Sequence, residues 1–466
     1  MTTAPTPTPA RGGGRTRGSA RRRLACALAV VASVGAGVAF LPAPASGAPE
    51  RPAAQADAPG VPAFYDPPAT LPAADGALVR TEPLTLGLRL PGLNGRALPG
   101  TATRLMYKST DSRGRPMAVT GAYIEPAADW DGPGPRPLVA LAPGTMGQGD
   151  QCAASLALEN PFDLDILGGT VSVGYENIAV YRLLAEGIAV VVTDYAGLGT
   201  PDRVHTYVNR VDEGHAVLDA VRAARAVEGA SVTAASPVGL YGYSQGGGAT
   251  AAAAELQPSY APELALAGVY SGAPPADLAA VLEGVDGSAL ASAIGWTVNG
   301  AAESDPALLP LIEENLNDAG REALAESAEM CVGDGMLAHG FTESTEWTAT
   351  GETVGGLVAR EPAARAFLAA QRLGRARPAV PVRVATGVAD DTVPHAQARR
   401  LAVDWCARGA DVTYVPVRLP NLGDGLVLTN HFLPLIADQG DALAWLTDRL
   451  EGEPAAPNCA ALPRLP

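Results

Sequence analysis

"VGLYGYSQGGGAT", residues 238–250, runs from apolar and aromatic residues through a serine framed by glycines into small helix-forming residues. The pattern Gly242-Tyr243-Ser244-Gln245-Gly246 fits a sharp strand-to-helix turn, because small neighbours let the chain reverse tightly and leave the serine hydroxyl exposed. The stretch that follows, "QGGGATAAAAEL", reads as a helix whose first N–H groups aim at that serine. Gly-x-Ser-x-Gly alone is a weak signal in a chain with 53 glycines. Its surroundings decide the reading.

Working outward, short β-rich runs appear at "TRLMYKST", "MAVTGAYIE", "PLVALAP", "IAVVVTD", "VGLYGYS", "LAGVYSG", "PVRVATG" and "DVTYVPV". Amphipathic helical stretches such as "ENIAVYRLLAEG" and "DEGHAVLDAVRAARAVE" lie between most of the later ones. Apolar strands alternating with helices predict an α/β fold with a mostly parallel, eight-stranded sheet flanked by helices. One interval breaks the alternation: residues 273–378 carry helical patterns ("DPALLPLIEENLNDAGREALAES") and no convincing strand. An insertion of that length reads as an inserted helical cap over the C-terminal edges of the sheet. The core is then split into 99–272 and 379–466, the latter ending in a C-terminal tail. A Pro/Ala-rich segment, 49–98, precedes it and reads as extended.

A serine nucleophile needs a base within hydrogen-bond reach and backbone donors for the oxyanion. An acid should follow a later strand, and "PVRVATGVADDTVP" offers Asp390 and Asp391. The spacing Gly387-x-x-Asp390-x-x-Val393-Pro394 turns the first inward and leaves Asp391 in a solvated turn. Five histidines occur, at 205, 215, 339, 395 and 431. His431, in "LGDGLVLTNHFLPL", follows the last strand and opens the last helix, which completes the chain order Ser, Asp, His of α/β-hydrolases. His395 and His215 read as structural. For the oxyanion, Gln245 follows the nucleophile, and Thr145 in "LAPGTMGQGD" supplies a second N–H, with Met146 as competitor. Asp194 in "TDYAGLGTPD" reads as a structural acid satisfying loop amides.

The whole chain carries a formal charge of −16. Residues 1–48 hold six arginines and no acid, so a chain starting at Pro49 carries −22. Nucleic acid is a poor partner for such a surface. The cationic "ARGGGRTRGSARRR" followed by the apolar "LACALAVVASVGAGVAFL" predicts a signal peptide cleaved after Ala48, hence an extracellular protein, and the arginines 21–23 leave a twin-arginine route open. Cys26 falls within that leader. Cys152, Cys331, Cys406 and Cys459 remain, an even number that suits two disulfides in an oxidising compartment and permits three connectivities. Without a CxxC pair a zinc site is not indicated.

"PGTMGQGDQCAAS", "TDYAGLGTPD" with "HTYV", "DEGHAVLDAVRAA", "GYSQGG", "GVADDTVP" and the late "NH" together resemble the secretory lipase family, the lipase A-type triacylglycerol lipases of fungi and actinobacteria. The resemblance runs from about residue 64 to 460. It implies an exported α/β-hydrolase with a helical lid at 273–378, a triad of Ser244, Asp390 and His431, and Gly144 and Thr145 in the oxyanion region. It also implies lipid esters as substrate and no cofactor or metal. The cysteine contexts match as well, which implies the pairs Cys152–Cys331 and Cys406–Cys459. The chain departs from the family pattern at Ala154, where proline is expected, and at Pro143, where histidine often precedes Gly-Thr.

The leading expectation is therefore a secreted carboxylic ester hydrolase, a triacylglycerol lipase that touches lipid surfaces transiently. A short-chain carboxylesterase, a peptidase or an acyltransferase can be built on the same fold. A non-enzymatic binding module fits an intact Ser, Asp and His least well.

Overall fold

The computed structural model describes Met1 and residues 61–466, except 89, 92–96, 161, 166–169, 175 and 424–425. The expected signal peptide, Met1 apart, and its expected cleavage site lie outside the described residues. A single nine-stranded sheet organises the described chain. Its strands are β1 (Leu78–Leu84), β2 (Gly100–Thr110), β3 (Pro116–Pro126), β4 (Leu138–Ala142), β5 (Ala189–Ala196), β6 (Val238–Tyr243), β7 (Leu266–Gly272), β8 (Val382–Gly387) and β9 (Val412–Val417). In space the order is β1-β2-β3-β5-β4-β6-β7-β8-β9. The first three are antiparallel, β3 meets β5 antiparallel, and everything from β5 to β9 runs parallel.

Eight of these strands coincide with the β-rich runs of the sequence. The ninth, β1, comes from the Pro/Ala-rich segment, where "LVRTEPL" carries a proline that argues against a strand. Pro83 is tolerated because β1 is the edge of the sheet, where a missing N–H need not break a ladder. Two short antiparallel pairs, Leu90–Pro91 with Ala97–Leu98 and Phe162–Asp165 with Thr170–Val173, stand apart from the main sheet.

The hairpin β2–β3 turns on "DSRGR". There Asp111 accepts the N–H groups of Arg113 and Arg115, and Gly114 takes φ +75°, a conformation glycine adopts without steric cost. The central strands are different in kind. Every residue of β4 ("LVALA") and β5 ("AVVVTDYA") is buried, as expected of parallel strands covered on both faces.

The first half of the core carries a short helix, Ala154–Glu159, and three longer ones, α1 (Asn177–Ala185), α2 (Arg210–Arg225) and α3 (Gln245–Tyr260). Residues 273–378 then form seven α-helices: α4 (Leu278–Val285), α5 (Ser292–Ser304), α6 (Leu309–Asn315), α7 (Asp318–Ala328), α8 (Val332–His339), α9 (Val354–Arg360) and α10 (Pro362–Gln371). The core resumes with α11 (His395–Ala407) and α12 (Thr429–Leu450).

Burial divides the hydrophobic interior into three. Helices α2, α3 and α11 press Val217, Val221, Ala252 and Trp405 onto one face of the sheet. Helices α1 and α12 press Leu183, Leu184, Leu443 and Leu446 onto the other. The inserted helices have their own cluster around Trp296, Leu282 and Trp347, and core residues Tyr207, Leu428 and Phe432 pack into it.

The disulfide Cys152–Cys331 joins the loop after β4 to the start of α8 across 179 residues. The disulfide Cys406–Cys459 joins α11 to the tail. No described helix is long and apolar enough to cross a membrane.

Candidate active site

Helix α3 begins immediately at the end of β6, and the glycines make that junction possible. A Cβ on Gly246 would come 2.0 Å from the carbonyl oxygen of Ala142, and one on Gly247 would come 2.0 Å from that of Gly272. Only bare backbone lets the first turn of α3 drop between the C-terminal ends of β4 and β7. Ser244 sits at the apex with φ 58° and ψ −124°. Such a backbone costs a non-glycine residue about 1–3 kcal/mol and persists only where its surroundings impose it. Here Ser244 N–H donates to Gly272 and the Ser244 carbonyl accepts from Gly248 N–H.

The side chain of Ser244 meets His431, on the first turn of α12. Ser244 Oγ lies 3.0 Å from His431 Nε2. The other ring nitrogen, Nδ1, lies 2.9 Å from Asp390 Oδ2 and 3.1 Å from Oδ1. Because a carboxylate only accepts, Nδ1 carries the proton and Nε2 faces the serine hydroxyl as an acceptor. Asp390 lies in the loop after β8 and accepts the N–H groups of Thr392 at 3.1 Å and Val393 at 2.9 Å. His431 and Asp390 are 3 % and 8 % exposed, so the pair is screened from water.

Asp391 points elsewhere. It accepts from Asn430 Nδ2 at 2.8 Å and thus braces the residue before His431 rather than the ring itself. Burial raises its pKa above the ordinary carboxylate value. His395 contacts Tyr414 OH, and His215 stacks on Tyr260 with ring centres 3.5 Å apart, so neither joins the serine. Asp194 accepts Ser155 N–H at 2.7 Å and the hydroxyls of Ser155 and Thr120.

Gln245 is the first residue of α3, so its N–H has no acceptor within the helix. It lines the same cavity as Ser244 and Thr145. The Thr145 hydroxyl bonds Tyr207 OH at 2.8 Å. The Pro143–Gly144 peptide before it is held at both ends: Tyr195 OH donates to its carbonyl at 2.7 Å, and its N–H donates to Glu176 at 2.9 Å. Desolvation pushes the Glu176 carboxyl up to about 7. Met146 turns its main chain to the inserted helices, its carbonyl accepting Val332 N–H at 2.8 Å.

The small cavity at Ser244 is lined by Leu278, Val281 and Leu282 of α4 and Ala293 and Thr297 of α5. A second, half-open cavity lies among α4, α5, α6, α9 and α10. Its walls are mostly apolar, with Leu311, Ile312, Val358 and Phe367 among them, and it shares Leu282 and Thr297 with the first. The sequence did not single out His205, Tyr207, Glu176 or Glu213 as site residues. "HTYV" contributed only as part of the family resemblance, and "DEGH" through it and as the start of an amphipathic helix.

A family model described as "Secretory lipase" matches residues 161–458. A protein of Mycobacterium tuberculosis named "Probable inactive lipase" is 31% identical over 399 residues, 84% of this chain and 82% of its own. "Lipase A" of Arthroderma benhamiae is 26% identical over 357 residues, 76% of this chain and 72% of its own. Among solved structures, Candida antarctica lipase A in its closed state superposes with a TM-score of 0.71 at 20% identity, covering 85% of this chain and 87% of that one. The rice cell wall degrading esterase LipA of Xanthomonas oryzae does so with 0.66 at 19%, covering 82% of this chain and 100% of that one. The fold is that of the α/β-hydrolases.

Proposed function

The chain belongs to the secretory lipase family and is a carboxylic ester hydrolase, and from that premise we propose a secreted triacylglycerol lipase that works through Ser244, His431 and Asp390 by way of an acyl-enzyme. The single observation that carries this reading is the unbroken hydrogen-bonded run from Ser244 Oγ through the His431 ring to Asp390. Ser244 Oγ attacks the ester carbonyl while His431 Nε2 takes its proton, and Asp390 stabilises the imidazolium that forms. The N–H groups of Gln245 and Thr145 receive the oxyanion. His431 returns the proton to the departing alcohol. Water, deprotonated by the same nitrogen, then attacks the acyl-serine and frees the fatty acid. No cofactor takes part in any of these steps.

The apolar cavity adjoining the serine site favours a lipase over a short-chain esterase, since it offers room for a long acyl chain beyond Leu282 and Thr297. The acids of "IEENL" and "AESAE" are exposed, so they give a peptidase no anchor for a substrate amine within the site. Two disulfides suit an exported protein. The Mycobacterium relative carries inactivity in its name. This chain keeps all three side chains in bonding geometry, which supports turnover.

The test is hydrolysis of acyl esters from short to long chain by the purified mature protein, with Ser244→Ala at matched folding alongside. Long-chain turnover abolished in the variant is the expected result. Turnover of short chains alone supports the esterase instead. Inactivity of well-folded protein overturns hydrolysis and turns attention to acyl transfer or peptide substrates.

A further inference from the structure

Gln245 is 2 % exposed, and its side chain has no part in the Ser-His-Asp chain. Its amide nitrogen lies 2.8 Å from Glu213 Oε1 and 3.1 Å from His205 Nε2. His205 Nδ1 lies 2.8 Å from the carbonyl oxygen of Ala196, which can only accept, so Nδ1 bears the proton and Nε2 is a bare acceptor. Burial holds the His205 pKa down to about 4, which keeps the ring neutral at working pH. One amide nitrogen thus gives one hydrogen to each of two buried acceptors, and the orientation of the Gln245 side chain is fixed without ambiguity.

Glu213 Oε1 also accepts the N–H of Val208 at 3.0 Å. Val208 is β-branched and stands at φ +56°, a region such residues avoid, so this contact secures a strained turn. The neighbouring Tyr207 OH reaches the Thr145 hydroxyl, and the Asn209 amide reaches Ser304 Oγ on α5. Segment 205–209 and Glu213 of α2 therefore brace both oxyanion donors at once: Thr145 through Tyr207, and Gln245 through His205 and Glu213.

We propose that Glu213 and His205 are positioning residues of the reaction, which hold Gln245 by both amide hydrogens and so aim its main-chain N–H at the oxyanion. This rests on the serine hydrolase reading above. A buried carboxylate is costly to keep, and desolvation pushes the Glu213 carboxyl up to about 8, a penalty that a helix-surface position would avoid. Oxyanion donors act by being placed in advance, so a small loss of aim falls on the transition state and not on the bound ester.

The experiment compares kcat and KM of the full mature chain on a soluble short-chain ester for Gln245→Met, Glu213→Leu and Glu213→Gln, with melting temperatures and with Ser244→Ala as reference. Gln245→Met keeps the side-chain volume and the main-chain N–H but loses both amide hydrogens. Its kcat is expected to fall about ten- to a hundredfold with KM within about twofold, as befits a weakened oxyanion contact. Glu213→Leu should lower kcat of the folded protein similarly, because it leaves the Gln245 amide and Val208 N–H without their acceptor; the melting temperature should fall with it, and the loss of kcat well below that temperature is the readout. Glu213→Gln keeps an acceptor oxygen and should restore at least about a third of the wild-type kcat. A merely structural role would lower the melting temperature and leave kcat per folded molecule intact. Undiminished kcat in Gln245→Met overturns the proposal, and it does so even if Glu213→Leu fails to fold. Activity surviving in Ser244→Ala would instead overturn the hydrolase reading beneath it.

Discussion

Gly147, in the loop beside Ser244, and Cys331, at the start of α8, face one another across a single antiparallel bridge. Val332 N–H donates to Met146 and Gln148 N–H to Met330 on either side of it, and Cys331 is disulfide-bonded to Cys152 further along the same loop. The loop that presents Thr145 is thus sewn to the inserted helices.

The two disulfides should therefore differ in what they protect. In the chain-entropy limit, closing 179 residues is worth about 5 kcal/mol and closing 53 about 4 kcal/mol, so replacing either pair by serine should lower the melting temperature. Only Cys152→Ser with Cys331→Ser is expected to cut kcat of the folded protein at low temperature, because only that pair holds the loop of Thr145. Equal loss of kcat from the Cys406–Cys459 pair, measured well below both melting temperatures, would contradict this division.

A sharper contrast lies between the adjacent acids. Asp390→Asn removes the charge that stabilises the imidazolium and lets an amide NH2 group face His431 Nδ1 and favour the wrong tautomer, so it should lower kcat about 10³- to 10⁴-fold with the fold intact. Asp391→Asn alters described hydrogen bonds to Asn430 and Thr392 and should cost less than about tenfold, since it leaves the ring's hydrogen-bonded partner unchanged. Steady-state kinetics on one soluble ester decides between them, and the reverse ranking would move the role to Asp391.

The three residues proposed to carry the reaction were legible because each sits beside a local signal: glycines around Ser244, a strand-ending turn at Asp390, and a helix start at His431. The supporting shell was not. Glu213 and His205 lie 32 and 40 residues from Gln245, and an acid in an amphipathic helix reads as a solvated face until the fold turns it inward. The edge strand β1 was hidden by Pro83, whose penalty disappears only once the strand is known to be an edge. Helical periodicity likewise told which residues of 273–378 are apolar, but not that Leu311 and Phe367 meet across a cavity instead of filling it.

That cavity gives a test of acyl-chain selection. Leu282 lines both cavities, whereas Leu311 lines only the outer one. Leu282→Trp should therefore cut turnover of long-chain esters by about tenfold or more relative to butyrate, as bulk at the junction excludes the chain before it leaves the serine site. Leu311→Trp should penalise only the longest chains. The ratio of rates along a chain-length series reads this directly, and a uniform loss at every length would show that the outer cavity takes no acyl chain.

Stability should fall as pH rises, against the usual behaviour of ion-paired carboxylates. Desolvation pushes Asp219 up to about 6, Asp150 and Glu176 up to about 7 and Glu213 up to about 8. An acid whose folded pKa is raised favours the folded state fully below its unfolded pKa, and that advantage is lost as pH climbs through the folded pKa. His205 runs the other way: held down to about 4, it adds stability as pH rises from 4 towards 6.5 and is silent above. His215 and His395, also depressed by burial, act in the same sense as His205, so only from about pH 6.5 to 8 do the raised acids set the sign, each opposing folding by up to about 1.4 kcal/mol per pH unit while it stays protonated only in the folded state. Denaturant unfolding of the wild type over this window should show a declining free energy. Glu213→Gln, which cannot ionise, should decline less steeply, and identical slopes for the two proteins would mean that Glu213 does not hold its proton when folded.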